Sequence, residues 1–276
     1  MDNTLKRTIT GAAIVGIIVV SLLFSEFIFI PVMLFVMLVC LAEFYKMTMP
    51  GRFKAAKGLA VLASLVMFMT TYAHVSFGIS TKLMLLSVIP LVVIMIAGLY
   101  IHDADEFDSV AYLFTSQVYI AIPFSLTNLL VFDDFGNFNG MLLLGFFIIV
   151  WASDVGAFLF GMTFGQKNGH KLFPSISPKK SWEGLWGGLF TAIVAGVVLK
   201  LLGVFAFPWW AAVVLTLILF VFSVFGDLVE SKLKRHFDIK DSGKILPGHG
   251  GMLDRFDGAL LAFPAGTIFL IVFNFI

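Results

Sequence analysis

The chain has 276 residues, 60% of them hydrophobic and only 13% charged, with a formal net charge of +1 and a mean hydropathy of +1.02. A soluble domain is about 45–50% apolar and about 25% charged, so lipid is the main solvent here, and the near-neutral balance excludes a global field that would recruit nucleic acid. The single cysteine, Cys40, excludes an intrachain disulfide and a zinc site of Cys type, and its place inside an apolar run assigns it to packing.

A membrane-spanning helix needs about 20 apolar residues. That ruler predicts an all-α integral membrane protein of about nine spans, at 9–25, 27–45, 58–77, 83–101, 110–132, 140–161, 185–207, 208–230 and 258–275. The division at Phe207-Pro208 rests on Lys200, Gly203 and the preference of proline for a helix start. Pro90, Pro123 and Pro264 fall inside spans and predict kinks, which neighbouring helices tolerate by re-satisfying the freed carbonyls. His74, in an apolar run, reads as a packed, hydrogen-bonded side chain.

Basic residues set orientation. Lys6 and Arg7, then Lys46, Arg52, Lys54 and Lys57, then Lys167, Lys171, Lys179 and Lys180, and finally Lys232, Lys234, Arg235, Lys240, Lys244 and Arg255 all fall on one face of a nine-span chain. Only Lys82 and Lys200 of the 18 basic residues fall elsewhere. The expectation is a cytoplasmic N-terminus and an outside C-terminus. The acidic stretch at 102–109 and Asp133-Asp134 carry little topological weight and read as solvated linkers. Residues 1–135 read as a scaffold of transmembrane helices, and 136–276 as a catalytic transmembrane region with cytoplasmic loops 162–184 and 231–257.

Polar chemistry is concentrated in that second half. Asp154 lies in an apolar run, where an ionised carboxylate costs roughly 2.5–3.5 kcal/mol and requires a partner or a wet cavity. The loop Ser177-Pro178-Lys179-Lys180-Ser181 places two ammonium groups and two hydroxyls on a proline-fixed turn ahead of a helix start, a plausible phosphate cradle that is equally consistent with a basic membrane anchor. Asp227, Ser231 and Lys234 are spaced to share one helix face, flanked by Glu230, and Asp254 and Asp257 share a face at the opening of the last span. Asp227, Asp254 and Asp257 thus come from two helix ends joined by one loop, and carboxylates so placed suit one or two hard divalent ions. The loop between them mixes cations fit for phosphate with the side-chain-poor turn Pro247-Gly248-His249-Gly250-Gly251. No P-loop, nucleophile elbow or dinucleotide fingerprint occurs.

Residues 231–257 resemble the signature of the phosphatidate cytidylyltransferase (CDP-diacylglycerol synthase) family at Ser231, Lys234, Arg235, Lys240, Asp241, His249, Gly250, Gly251, Asp254, Arg255 and Asp257, without departure. A second block, similar to the same family, covers Asp154, Gly156, Ala157, Ser177, Pro178, Lys179, Trp182, Glu183 and Gly184. The resemblance implies an enzyme of phospholipid biosynthesis that converts CTP and phosphatidate to CDP-diacylglycerol and pyrophosphate with Mg²⁺, as two metal ions. In that frame Asp227, Asp254, Asp257 and Asp154 are the expected metal ligands, and Lys234 and Arg235 join the first three of these as catalytic residues. Ser177, Lys179, Lys180, Ser231, Lys240, His249, Gly250, Gly251 and Arg255 are the expected substrate contacts. Partners are CTP, phosphatidate drawn from the bilayer and membrane lipids, in a bacterial inner membrane with the site facing the cytoplasm.

The residue types carry a similar argument by themselves. Two polyanions meeting at a membrane need positive charge and positioning more than a base, because a phosphate monoester is already ionised. A transporter is the rival from another class, but its polar residues would be spread through the spans rather than crowded at one rim. The CDP-alcohol phosphotransferases differ at their Asp-Gly-x-x-Ala-Arg pattern, since Asp257-Gly258-Ala259 is followed by Leu260-Leu261. The small residues Gly184, Gly187 and Gly188 permit close helix packing, either within one chain or in a homodimer.

Overall fold

A computed structural model describes residues 3–49, 51, 53–99, 104–133, 135–165, 170–246, 248 and 250–276. Of the sequence expectations, those on Arg52, residues 100–103 (His102 and Asp103 among them), Asp134, residues 166–169, Pro247 and His249 lie outside the described residues. The elements in order are α1 Asn3–Phe24, α2 Glu26–Thr48, α3 Lys54–Phe77, a 3₁₀ turn at Thr81–Ser87 running into α4 Val88–Gly98, and α5 Ala104–Ser116. A π turn at Gln117–Ala121, α6 Ile122–Leu126 and a 3₁₀ turn at Thr127–Leu130 prolong α5. Then come α7 Met141–Phe160 with a π turn at Gly161–Gly165, the strands β1 Lys171–Phe173 and β2 Ser177–Ser181, α8 Trp182–Leu201, α9 Trp209–His236 and α10 Leu253–Val272.

Among the described residues, 8 helical segments are long and apolar enough to cross a membrane, and α1 contributes the shorter apolar stretch Ile9–Phe24. The all-α membrane class and the positions of the spans match the sequence reading, with differences at the ends. The acidic stretch near 105 is not a linker, because it is helical from Ala104. The span expected at 185–207 starts at Trp182, where Ser181 Oγ caps the helix by accepting from Gly184 N at 3.2 Å. It stops at Leu201, because Gly203 (φ 77°) turns the chain and Lys200 Nζ donates to the carbonyls of Phe205 (3.0 Å) and Phe207. The span expected at 208–230 continues to His236, its last turn carrying Lys234, Arg235 and His236 where cations complement the helix dipole. The antiparallel hairpin β1–β2 is the one departure from helix among the named elements.

Prolines act locally. Pro123 cannot donate a backbone hydrogen bond and its ring crowds the carbonyl of the residue four before it, and the widened π turn at Gln117–Ala121 sits directly ahead of it. Pro264 is accommodated inside α10, and so is Pro31 inside α2.

The chain clusters into two compact units: Met1–Asn139 with Asp241–Phe256, and Gly140–Lys240 with Asp257–Ile276. The 231–257 loop is therefore divided between them, which no composition shift in the sequence marks. In the first unit, α2 buries Phe29, Met33, Met37, Cys40, Leu41 and Phe44. Its polar contacts are cross-linked: Tyr45 Oη and Ser116 Oγ lie 2.7 Å apart, Gln117 Nε2 donates to Ala60 O at 3.1 Å, and Ser64 Oγ donates to Gln117 Oε1 at 3.0 Å. Such bonds hold helices together where water exclusion supplies no drive. His74 Nδ1 lies 2.7 Å from Ile79 O, at the end of α3 closed by Gly78 (φ 65°). Asp133 does more than solvate its loop: Oδ1 accepts from Phe135 N (2.9 Å) and Asn137 N (2.8 Å), and Oδ2 from Asn137 Nδ2 (3.0 Å).

The second unit is built on α7 against α8. The buried stripe of α8 is Gly184, Gly187, Gly188, Ala192, Gly196 and Leu199, so the helix axes approach closely within one chain. A methyl group on Gly188 would stand 2.9 Å from Ser153 O, and one on Gly156 would stand 2.7 Å from Gly187 O. Thr191 Oγ1 seals the contact by donating to Ala152 O at 2.8 Å. Trp186 and Phe190, on the other face of α8, are exposed, as a lipid surround permits.

Candidate active site

In the second unit, α9 and α10 cross at two glycines. A methyl group on Gly226 would collide with the carbonyl oxygen of Asp257 and lie 3.0 Å from Gly258 Cα, so only glycine allows this approach. The crossing brings Asp227, next to Gly226, toward Asp257, next to Gly258. Asp227 is half-buried: its Oδ1 accepts from Ser231 Oγ at 3.1 Å, and its Oδ2 lies 2.6 Å from Lys180 Nζ. One turn along α9, Glu230 is fully buried (0% exposed) and pairs with Lys234 Nζ at 2.8 Å. Asp257 Oδ1 accepts from Gly258 N at 2.7 Å. Asp154 itself, on α7, is exposed.

Asp227 pairs with Lys180, and Glu230 with Lys234. Among the described residues, no three or more His, Cys, Asp or Glu side chains are gathered into a ready-made metal cage. Mg²⁺ does not need one, because it keeps several waters and binds through one or two carboxylates plus substrate phosphates. The hard oxygen donors of Asp227 and Asp257 fit that use.

The β1–β2 hairpin presents the cationic edge. Glu183 Oε1, in the first turn of α8, accepts from His170 N at 3.1 Å and lies 3.3 Å from His170 Nδ1, which ties the start of the hairpin to the helix. Lys179 is exposed and Ser177 half-buried, while Lys180 points the other way along the strand to reach Asp227. Arg235 is exposed, with Nη1 donating to Ile239 O at 3.3 Å, and Lys240 is exposed.

In the first unit, Ser242, Gly250, Gly251 and Asp254 meet in a tight turn. Asp254 closes it: its Oδ1 accepts from Ser242 N at 3.2 Å, and its Oδ2 from Ser242 N at 3.0 Å and Gly251 N at 2.7 Å. Leu246 N donates to Gly250 O at 3.1 Å. Gly250 has φ 84°, and a methyl group there would stand 2.7 Å from Asp254 Oδ2, so both backbone and space demand glycine. Arg255 is exposed.

The structure thus brings Ser231 and Lys180 to Asp227, pairs Lys234 with Glu230, sets the backbone of Asp257 against Gly226, and holds Gly250, Gly251 and Asp254 in one turn. Sequence reasoning gave Glu230 only a flanking role and did not find its ion pair with Lys234, nor the pair Lys180–Asp227. It missed Glu43 altogether. That residue is 7% exposed on α2, and its Oε2 accepts from Leu253 N at 2.9 Å and Ser242 Oγ at 3.2 Å. A lone glutamate inside the apolar run 27–45 was the available signal, since a charge at such depth demands a partner.

The sequence model of the Cytidylyltransferase family matches residues 5–273. Among curated proteins, the chain is 34% identical over 177 residues to the phosphatidate cytidylyltransferase of Bacillus subtilis, covering 63% of each chain. It is 42% identical over 125 residues to that of Staphylococcus saprophyticus, and 44% identical over 125 residues to that of Staphylococcus aureus, in each case 45% of this chain and 47% of the relative. The matched region therefore spans about half the length of the staphylococcal relatives.

Proposed function

Because the chain belongs to the Cytidylyltransferase family, we propose that it is a phosphatidate cytidylyltransferase, joining CTP to phosphatidate to give CDP-diacylglycerol and pyrophosphate. A phosphate oxygen of phosphatidate attacks the α-phosphorus of CTP, the bond from that phosphorus to the bridging oxygen breaks, and pyrophosphate leaves with the electron pair. The nucleophile is already ionised, so the protein's task is to align two anions and absorb their charge.

Asp227 and Asp257 would hold Mg²⁺, with Asp154 and Asp254 the further ligands that the family resemblance implies and a second ion belonging to the same proposal. When bound, the metal neutralises charge on the α-phosphate and on the leaving pyrophosphate. Lys180 and Lys234 exchange their carboxylate partners for phosphate oxygens as the anions arrive, and the exposed Lys179 and Arg235 widen the cationic rim. Ser231 orients Asp227 through its hydroxyl. Lys240, His249, Gly250, Gly251 and, in the first turn of α10, Arg255 are the nucleotide contacts of this reading, and Asp254 holds the backbone of Ser242 and Gly251. The distribution of Lys and Arg favours a cytoplasmic face for this chemistry, and bacterial relatives favour the inner membrane.

The observation that supports this reading is the glycine crossing of α9 and α10, where Gly226 meets the backbone of Asp257 and Gly258, together with the pairing of Lys180 with Asp227. The test is purified protein in detergent given phosphatidate with CTP, ATP, GTP or UTP, with and without Mg²⁺, while pyrophosphate is followed. Release with CTP and Mg²⁺ alone is expected. Equal release with every nucleotide, or none with CTP, defeats the proposal.

A further inference from the structure

Ser242 and Leu253 both bind a buried side chain that comes from about two hundred residues earlier in the chain, Glu43 of α2. Its Oε2 accepts both Ser242 Oγ (3.2 Å) and the backbone N–H of Leu253 (2.9 Å), the first residue of α10. The latter is one of the donors a helix start leaves without an intrahelical partner, so Glu43 supplies from a distance what a capping residue normally supplies locally. Ser242 is gripped twice, its hydroxyl by Glu43 and its N–H by Asp254 at 3.0 Å. The carboxyl also shapes the loop backbone. A methyl group on Gly243 would collide with Oε1 and stand 2.5 Å from Cδ, and one on Gly251 would stand 2.5 Å from Oε2. Oε1 is buried, with no hydrogen-bond partner among the described residues.

Packing alone does not account for this arrangement. A leucine would fill the volume without placing an acceptor in an apolar helix. An acceptor confined to the helix would not reach a serine and a helix start on a loop so remote in sequence.

We propose that Glu43 is a positioning residue for nucleotide binding: its carboxyl fixes Ser242, Gly243, Gly251 and Leu253 and thereby the groups that these residues help to present to CTP. This rests on the reading of the protein as a cytidylyltransferase. Glu43 does not touch the reacting atoms; it acts through Ser242, Leu253 and the two glycines.

The test compares Glu43→Leu, Glu43→Gln and Ser242→Ala in the full-length protein by two readouts, hydrogen exchange of the peptide covering 241–253 and separate KM values for CTP and phosphatidate. Two donors lose their acceptor in Glu43→Leu, an effect equivalent to about tenfold or more. Loop exchange should accelerate by at least about tenfold and the KM for CTP rise by about as much, with the KM for phosphatidate within about twofold. Glu43→Gln, which keeps an acceptor oxygen, should recover most of both effects. Ser242→Ala removes one bond only and covers the case in which Glu43→Leu does not fold; about a threefold change in each readout is expected. Unchanged loop exchange in a folded variant overturns the inference, and so does a parallel rise of both KM values. A wild-type protein that turns over no CTP refutes the enzymatic reading instead, and hydrogen exchange still decides whether Glu43 holds the loop.

Discussion

Replacing Gly226 with alanine perturbs the α9–α10 crossing without altering any charge. The added methyl would meet backbone on the opposite helix, the Asp257 carbonyl oxygen, Gly258 Cα at 3.0 Å and Asp257 C at 3.1 Å, and none of these atoms can rotate aside. Restoring ordinary contact of 3.4–4 Å requires the helices to part by several tenths of an ångström up to about 1 Å. A displacement of about 1 Å at a reacting centre costs about 10²-fold in rate, and overpacking of this kind costs about 1–3 kcal/mol in stability. Gly226→Ala should therefore retain a cooperative thermal transition while its kcat for CTP and phosphatidate falls by about two orders of magnitude. Gly58→Ala on α3 is the control, since nothing lies within 4 Å of a methyl group there. It should match the wild-type rate and gain about 0.5–1 kcal/mol of helix stability. A Gly226→Ala enzyme with wild-type kcat would refute the idea that the close crossing of these helices positions the carboxylates.

Four further outcomes are expected. Asp257→Asn keeps the shape of the side chain but removes its charge, and kcat should drop by about 10²–10³ in steady-state assays, with saturating Mg²⁺ unable to restore it. Lys180→Met breaks the 2.6 Å pair with Asp227 and should raise the KM for CTP by about tenfold; an unchanged KM would remove Lys180 from the phosphate contacts. Thr191→Val keeps the α8 shape but loses the bond to Ala152 O, and thermal unfolding should report a loss of about 0.6 kcal/mol, with about 1.7 kcal/mol as the ceiling for such a bond. The Asn137 side chain first, then the backbone N–H groups of Asn137 and Phe135, hold the Asp133 carboxyl below the usual carboxylate range, so its stabilisation of the 131–140 loop is present above that range and lost as pH falls through the lowered value. Asn137→Ala should move the Asp133 titration, followed by carboxyl NMR, back up toward the ordinary range.

The spans were legible because a bilayer imposes a length on apolar runs that composition alone reveals. Their ends were not, because hydropathy changes where charge begins and helices end where backbone bonds end. Thus α9 runs on through Lys234, Arg235 and His236, and α10 begins at Leu253 rather than at 258. The strands, three and five residues long, carry no alternation long enough to detect. Within the site, the helical spacing of Asp227, Ser231 and Lys234 held because it depends only on local geometry, and Ser231 does reach Asp227. What spacing cannot show is pairing across the chain. Lys180 on Asp227 and Glu43 on Ser242 join segments tens to hundreds of residues apart, and for Glu43 an averaged hydropathy window also hides the single charge that matters.

The central claim is that Asp227 and Asp257 act as one unit on the same phosphate charge, and a double-mutant cycle in kcat measures this directly. Asp227→Asn and Asp257→Asn should each cost about 10²–10³, and the double variant should fall within about tenfold of the weaker single, because removing either one already disables the pair. Losses that multiply, with the double variant slower by the product of the two, would mean that the carboxylates work independently and contradict the account.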